Sequence, residues 1–391
     1  MPDQFTQTTQ VGLGNRLMNS IKGVVVGLLL FVVSFGVLYW NEGRAGRAAK
    51  LVKQAALASA VDAVSPDQAS QGKLVAAKGT IKTSETLSDS VTVPGTSQLV
   101  QIKAGNYLKL LRQTEMFAWK ETSKTDTQKN TGGSETQNTT YTYTKEWASE
   151  PANSSEFKIP AGHENPALAV PKNESTVTAA TLDSLSLDMT SLVLPASQKL
   201  ALTPATAAYP TPALAQAGTS EFVFLGKGTL ATPQLGDVRV QYSYVPANIA
   251  VTAFGKLDGT ALSPFVDANN GTLYRAFTGT KDEAVMTMKS ENSTMTWVLR
   301  LVGFIMMWVG LGMLFGPIST FLDILPIAGS ISRGLIGFVT FLVALALSLV
   351  TIVVSMIAHS LIAVIIAGVV VVILAVLVMK GVFKKGKMAK A

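Results

Sequence analysis

Cysteine is absent from all 391 residues, which excludes disulfide frameworks, thiolate metal sites, iron–sulfur clusters and cysteine nucleophiles. Histidine is nearly absent: His163 and His359 are the whole supply, so no multi-histidine metal cage can form. Charged residues make up only 15% against 48% hydrophobic, a skew toward long apolar segments. The net charge of +7 is not a nucleic-acid signal. Residues 41–295 hold 23 acidic and 23 basic side chains and are neutral, and the excess sits in the flanks, +1 before residue 41 and +6 after 295. Basic ends beside hydrophobic runs are a membrane-orientation pattern rather than a phosphate-binding one.

Four apolar runs are membrane spans by length. Residues 23–40 carry no charge and lie between Lys22 and Glu42; about 18 residues at 1.5 Å each give roughly 27 Å, the thickness of a hydrocarbon core. The run ends on Tyr39 and Trp40, which suits a membrane interface and not the small-residue site of a signal peptidase. The second span covers 297–315, interrupted only by Arg300 one turn in, where it can snorkel, and closed by Gly316 and Pro317. The third covers 335–356 and the fourth 360–379, with His359 and Ser360 turning the chain between them. A basic tail, 380–391, follows with five lysines and no acid.

Lysine bias holds that tail in the cytoplasm. An even number of spans then keeps residues 1–22 there too and sends 41–295 across. Arg44, Arg47, Lys50 and Lys53 oppose this assignment, but long domains translocate largely regardless of charge.

The segment 41–295 is too long for a loop and reads as a β-rich domain. Val238, Val240, Tyr242 and Tyr244 alternate with Arg239, Gln241 and Ser243, the period of a half-buried strand. Further strand candidates are 222–225, 107–119 and 141–147. Between the last two, Thr122 to Thr140 lacks any apolar side chain and carries Gly132 and Gly133 near its middle, so it is expected to be a solvated hairpin tip. Ala45 to Val64 is alanine-rich and could prolong the first span as a helix. Residues 195–219 read as an irregular connector. Lys78-Gly79-Thr80 and its recurrence Lys227-Gly228-Thr229 suggest two related halves, about 65–194 and 220–295.

Several segments together resemble the transmembrane protein 43 (LUMA) family: Tyr39-Trp40-Asn41-Glu42-Gly43-Arg44-Ala45, 110–119 (LLRQTEMFAW), 143–147 (YTKEW), Gly162-His163-Glu164-Asn165-Pro166, 236–245 (GDVRVQYSYV) and 296–303 (TWVLRLVG). Their order covers nearly the whole chain. The resemblance implies a four-span membrane protein with a large extracytoplasmic or luminal domain, acting as a scaffold that self-associates and engages other membrane proteins. It brings no established enzymatic activity, and a channel role has been proposed for animal members. Eukaryotic relatives are expected in the endoplasmic reticulum and inner nuclear membrane. This chain is expected in a bacterial inner membrane, its large domain in the periplasm or outside.

Catalytic constellations are sparse. His163 could serve a Ser-His-Asp arrangement, but no Gly-x-Ser-x-Gly elbow accompanies it and prolines at 160 and 166 bracket it as a turn. Asp282 with Glu283, and Asp183 with Asp188, carry no metal-ligand or glycosidase signature. Gly12-Leu13-Gly14 precedes a span instead of following a strand, unlike a phosphate loop. The apolar cores contain one ionisable side chain, Arg300, close to an edge, which argues against a proton- or ion-driven transporter. Glu42 and Arg300 should both reach the outer interface, where an ion pair would pin the first span to the second. Gly23 with Gly27, Gly312 with Gly316, and Ala363 with Ala367 have the four-residue spacing that lets helices approach closely.

These readings predict a membrane α + β protein: one N-terminal and three C-terminal helices, with the β-rich domain inserted between the first and second. The expected function is a non-catalytic scaffold, with no cofactor or metal, that contacts lipid, itself and other membrane proteins but not nucleic acid. An ion-conducting channel is the alternative, and a membrane-anchored hydrolase using His163 a distant one.

Overall fold

The computed structural model describes residues 3–92, 99–130, 132–208, 221–322 and 326–359. Three of its helices are long and apolar enough to cross a membrane: α1 (Leu13–Leu57), α2 (Lys281–Leu314) and, from Gly334 onward, α4 (Pro326–His359). A short helix, α3 (Gly316–Leu322), follows the break after α2. The expected fourth span, 360–379, and the basic tail, 380–391, lie outside the described residues. α1 is one continuous helix through the first apolar run and most of the alanine-rich stretch after it. α2 starts at a capping box: the Glu283 carboxylate accepts from the Thr280 amide at 2.7 Å, and the Glu283 amide donates to the Thr280 hydroxyl at 3.3 Å.

The chain divides into two compact units. The β unit takes Lys53–Asp126 and Gln137–Met286 with the N-terminal residues up to Thr8; the helical unit takes Thr9–Val52, Thr127–Thr136 and the chain from Thr287.

The first sheet runs β1 (Asp3–Val11), β7 (Glu135–Ala148), β6 (Tyr107–Lys129), β14 (Val238–Pro246) and β11 (Gln198–Lys199), with β13 (Val223–Leu225) also on β14 and β8 (Asn173–Thr176) also on β6. All four segments expected to be strands lie in it. β14 and β6 pair antiparallel, placing Tyr242 opposite Arg112, Gln241 opposite Gln113 and Arg239 opposite Glu115. Val238, Val240 and Tyr242 are buried in one core cluster with Leu110 and Met116.

The second sheet runs β19 (Arg275–Thr278), β15 (Ile249–Asp258), β16 (Ala261–Ser263), β10 (Leu185–Asp188), β9 (Ala179–Leu182), β3 (Leu74–Lys82) and β2 (Ser59–Asp62), and β3 also pairs with β15. That last pairing closes β15, β16, β10, β9 and β3 into a five-stranded ring. Closure leaves these strands no free edge, and Val75, Ile81, Leu182, Leu185, Ala253, Leu257 and Leu262 fill the interior. Gly255 is a required close approach: a Cβ there would lie 2.8 Å from both the Leu262 side chain and the Ser263 carbonyl. The small strands β4 (Leu87–Thr92), β5 (Leu99–Gly105) and β12 (Ala207–Ala208) form a third sheet, and β17 (Phe265–Val266) pairs with β18 (Thr272–Leu273).

Two expectations differ from this structure. The halves 65–194 and 220–295 do not describe the sheets, because β3 pairs with β15 and β6 with β14, mixing strands from both. Lys78 to Lys82 lies in a strand whereas Lys227 to Thr232 is a run of bends. Within residues 1–22, Asp3–Val11 forms a strand on β7. The polar stretch Thr122 to Thr140 is strand almost to its turn, because paired Thr and Asn side chains can line a ladder as well as a loop.

Carboxylates tie the barrel's loops. Asp183 accepts from the Thr80 amide at 2.9 Å and from Lys82 at 3.0 Å, and those bonds hold its pKa below the usual carboxylate value. Glu85, bonded to the Thr178 and Ala179 amides, and Asp188, bonded to Ser191 and Thr190, are lowered likewise. A carboxylate whose folded pKa is depressed stabilises the fold above its unfolded pKa, and that contribution is lost as pH falls through the folded value. The thermal midpoint of the β unit should therefore hold from about pH 7 down to about pH 5 and drop below about pH 4. Asp183→Asn should flatten that drop, read by circular dichroism melts across pH.

Candidate functional site

One group of polar residues of the helical unit gathers at one level of its helices. Asn292, Thr296 and Arg300 are four residues apart and so share one face of α2; Asn41, Glu42 and Arg44 meet them from α1, and Ser355 and His359, one turn apart, from α4. Arg300 donates from Nε to Glu42 Oε1 at 2.8 Å and from Nη2 to Oε2 at 2.9 Å, a bidentate pair. The Glu42 side chain is 3% exposed and that of Arg300 18%. The guanidinium also lies 4.9 Å from the Trp297 ring centroid.

Around the pair, Asn41 Nδ2 donates to the Thr296 carbonyl at 3.0 Å, and Arg44 donates to Asn41 Oδ1 at 3.2 Å, Thr296 Oγ1 at 2.9 Å and Asn292 Oδ1 at 3.2 Å. Asn292 Nδ2 in turn donates to the Ala45 carbonyl at 3.2 Å. From α4, the Ser355 hydroxyl donates to the Tyr39 carbonyl at 3.0 Å. The His359 ring stands 4.6 Å from that of Tyr39, with Nδ1 at 2.9 Å from the Ser355 carbonyl. Gly43 makes room for the imidazole, because a Cβ there would sit 2.7 Å from His359 Nε2. A cavity of about 350 Å³ opens beside Glu42, Gly46, Thr296 and Arg300. Both carboxylate oxygens of Glu42 are engaged by Arg300, so the arrangement is built to hold three helices in register.

Below this network, apolar packing continues through Leu38, Met307, Leu311 and Ala344. The glycines divide sharply. A Cβ on Gly27 would meet the Met313 side chain at 2.6 Å and the Gly310 carbonyl at 2.9 Å, and one on Gly316 would meet the Ser20 hydroxyl at 2.7 Å. Gly23 and Gly312 face open space, so neither packs a helix as expected; a four-residue spacing gives no information about which way the pair faces. The counterpart of Gly27 is Gly310, where a Cβ would lie 2.7 Å from the Phe31 amide nitrogen and 2.8 Å from the Gly27 carbonyl. Gly310→Val should cost roughly 1–3 kcal/mol through overpacking, while Gly312→Ala should leave stability within about 0.5 kcal/mol, both read from thermal unfolding in detergent.

In the β unit His163 is buried and fully used. Nδ1 lies 3.0 Å from the Ile159 carbonyl, Nε2 lies 3.1 Å from Asp3 Oδ2, and the ring stacks on Tyr143 at 3.8 Å with Trp119 at its edge. Asn165, two residues on, bonds both backbone groups of Trp119, accepting at 2.7 Å and donating at 2.9 Å. The segment locks β6, and neither imidazole nitrogen is left open toward a nucleophile.

Two further networks escaped sequence reasoning. Asp89 accepts from Arg112 at 2.7 Å, Tyr242 at 2.7 Å and Asn173 at 3.2 Å; burial and the neighbouring carboxylate push the Tyr242 phenol far above its ordinary pKa. Arg239 pairs with Glu115 and lies between the rings of Trp147 and Phe222, 4.7 and 4.8 Å from their centroids. A cavity of about 750 Å³ opens over Gln113, Glu115, Arg239 and Gln241. Among the described residues no group of three or more His, Asp or Glu side chains could hold a metal ion.

No solved structure matches the chain. Among curated proteins it is 30% identical to transmembrane protein 43 of Mus musculus over 365 residues, covering 89% of this chain and 87% of that one. It is 29% identical to the Homo sapiens protein, covering 88% and 86%. The Drosophila melanogaster homolog is 24% identical, covering 73% and 74%. The family model described as Transmembrane protein 43 matches residues 116–361, a stretch that contains β6 from Met116 onward, β14, His163, the α2 side of the polar network and His359. With the family model covering more than half its length, this integral membrane protein belongs to the transmembrane protein 43 family.

Proposed function

We propose that this protein is a non-catalytic multi-pass membrane scaffold that self-associates and organises partner membrane proteins. A fourth span over 360–379 completes the anchor, the β-rich domain stands on the extracytoplasmic face, and the lysine-rich tail stays in the cytoplasm. In a bacterial inner membrane that domain would project into the periplasm or beyond.

The observation that supports this reading best is the use made of the polar side chains within the helical unit. Glu42, Arg300, Asn41, Arg44, Thr296 and Asn292 bond one another and nearby backbone. Such a network suits helices that carry a load rather than a substrate. A scaffold acts through copies of itself, so the test is the mass of the detergent-solubilised complex by light scattering. The expected result is a defined oligomer, and a strict monomer at all concentrations would remove the mechanism.

A further inference from the structure

Between them, the N-terminal strand and the β6–β7 hairpin connect two places that a membrane should keep apart. At the hairpin tip, the buried side chain of Arg16 donates from Nη1 to the Gly133 carbonyl at 2.5 Å and pairs through Nε with Glu135 at 2.8 Å. The tip is thus fastened to the start of α1. At the other end of β1, Asp3 meets His163 inside the β unit, and Gln4, Thr6 and Thr8 bond Thr142, Thr140 and Asn138 of β7 in antiparallel register.

The uncharged run 23–40 separates Arg16 from Glu42, and the β domain follows α1 from Ser59. If that run crosses the bilayer, as the proposed function requires, Arg16 lies at the face opposite the β domain while Asp3 is bonded within that domain. Only β1 and Gly12 join them. Nine strand residues at about 3.3 Å each reach roughly 30 Å, the thickness of the hydrocarbon core.

We infer that β1 and the β6–β7 hairpin cross the bilayer as a polar three-stranded ribbon, with water along it and the tip at the face where α1 begins. The side chains require the water. From Thr122 to Thr140 none is apolar, and Thr125 bonds Thr139 across the strands at 2.9 Å. Strand backbone and polar side chains are tolerated at membrane depth only inside protein or along an aqueous crevice.

The absence of cysteine makes single-cysteine labelling free of background. Gln128→Cys reports the tip, Ala268→Cys an exposed turn of the β unit, Thr125→Cys the ribbon and Leu29→Cys the apolar surface of α1; all four native side chains are exposed. An impermeant maleimide applied to intact cells should give opposite results at 128 and 268, one reacting at once and the other only after lysis. A small charged methanethiosulfonate should modify Thr125→Cys more than about tenfold faster than Leu29→Cys, because the reactive thiolate needs water. Labelling of 128 and 268 from the same side would overturn the crossing, and a Thr125→Cys as inert as Leu29→Cys would overturn the aqueous path. Opposite sides with the tip outward would leave the crossing intact and contradict only the proposed orientation.

Discussion

Arg300→Met should destabilise the helical unit by about 3–5 kcal/mol, because it leaves the Glu42 carboxylate buried without its partner. Both carboxylate oxygens take their hydrogen bonds from that guanidinium, at 2.8 and 2.9 Å, and only 3% of the Glu42 side chain is exposed. Glu42→Leu should cost less than Arg300→Met. Arg300 is 18% exposed, keeps its contact with Trp297 and can extend toward the interface. The double variant should recover most of the loss, since two apolar side chains at a buried ion pair are often neutral or stabilising. A double-mutant cycle on unfolding in detergent reads the coupling directly. Equal costs for the two single variants, adding without interaction, would mean that the two side chains act independently.

The second large effect is expected at Asp89→Ala, also about 3–5 kcal/mol. Arg112 and Asp89 expose 11% and 10% of their side chains, so the guanidinium would be left charged and unpaired beside a core that includes Tyr242 and Leu110. Tyr242→Phe removes one hydrogen bond, spares the ion pair and should cost only about 0.5–1.5 kcal/mol. Tryptophan fluorescence during urea unfolding follows both variants. A Tyr242→Phe loss as large as that of Asp89→Ala would locate the stabilisation in the phenol instead of the charge pair.

What the amino-acid order makes legible depends on how far each interaction reaches. β14 could be read because Val238, Val240 and Tyr242 face a core and reveal its period. Glu42 and Arg300 could be singled out because charges bordering an apolar run need a reason. β1 carries no such signal: its residues are almost all exposed, and its partners on β7 are 130 or more positions away. The five-stranded ring is equally silent, since β16, β10 and β9 are three or four residues long, too short to display alternation. Asp89, Arg112 and Tyr242 meet from three separate strands: the pairing of β6 with β14 sets Arg112 opposite Tyr242, and Asp89 comes from β4 of another sheet.

The segments that carry the family resemblance nevertheless converge on these networks. Tyr39 to Ala45 and Thr296 to Gly303 supply both sides of the interhelical one. The stretch 110–119 provides Arg112, Glu115 and Trp119, each held by a residue from another such segment or from Asp89.

The side of the membrane on which the β domain stands can be read with two cysteines. Ala268→Cys in that domain and Lys390→Cys in the tail should report opposite compartments when intact cells meet an impermeant maleimide. Position 268 is expected to react at once and position 390 only after lysis. Immediate reaction at 390 with protection of 268 would invert the topology and contradict a scaffold that faces outward.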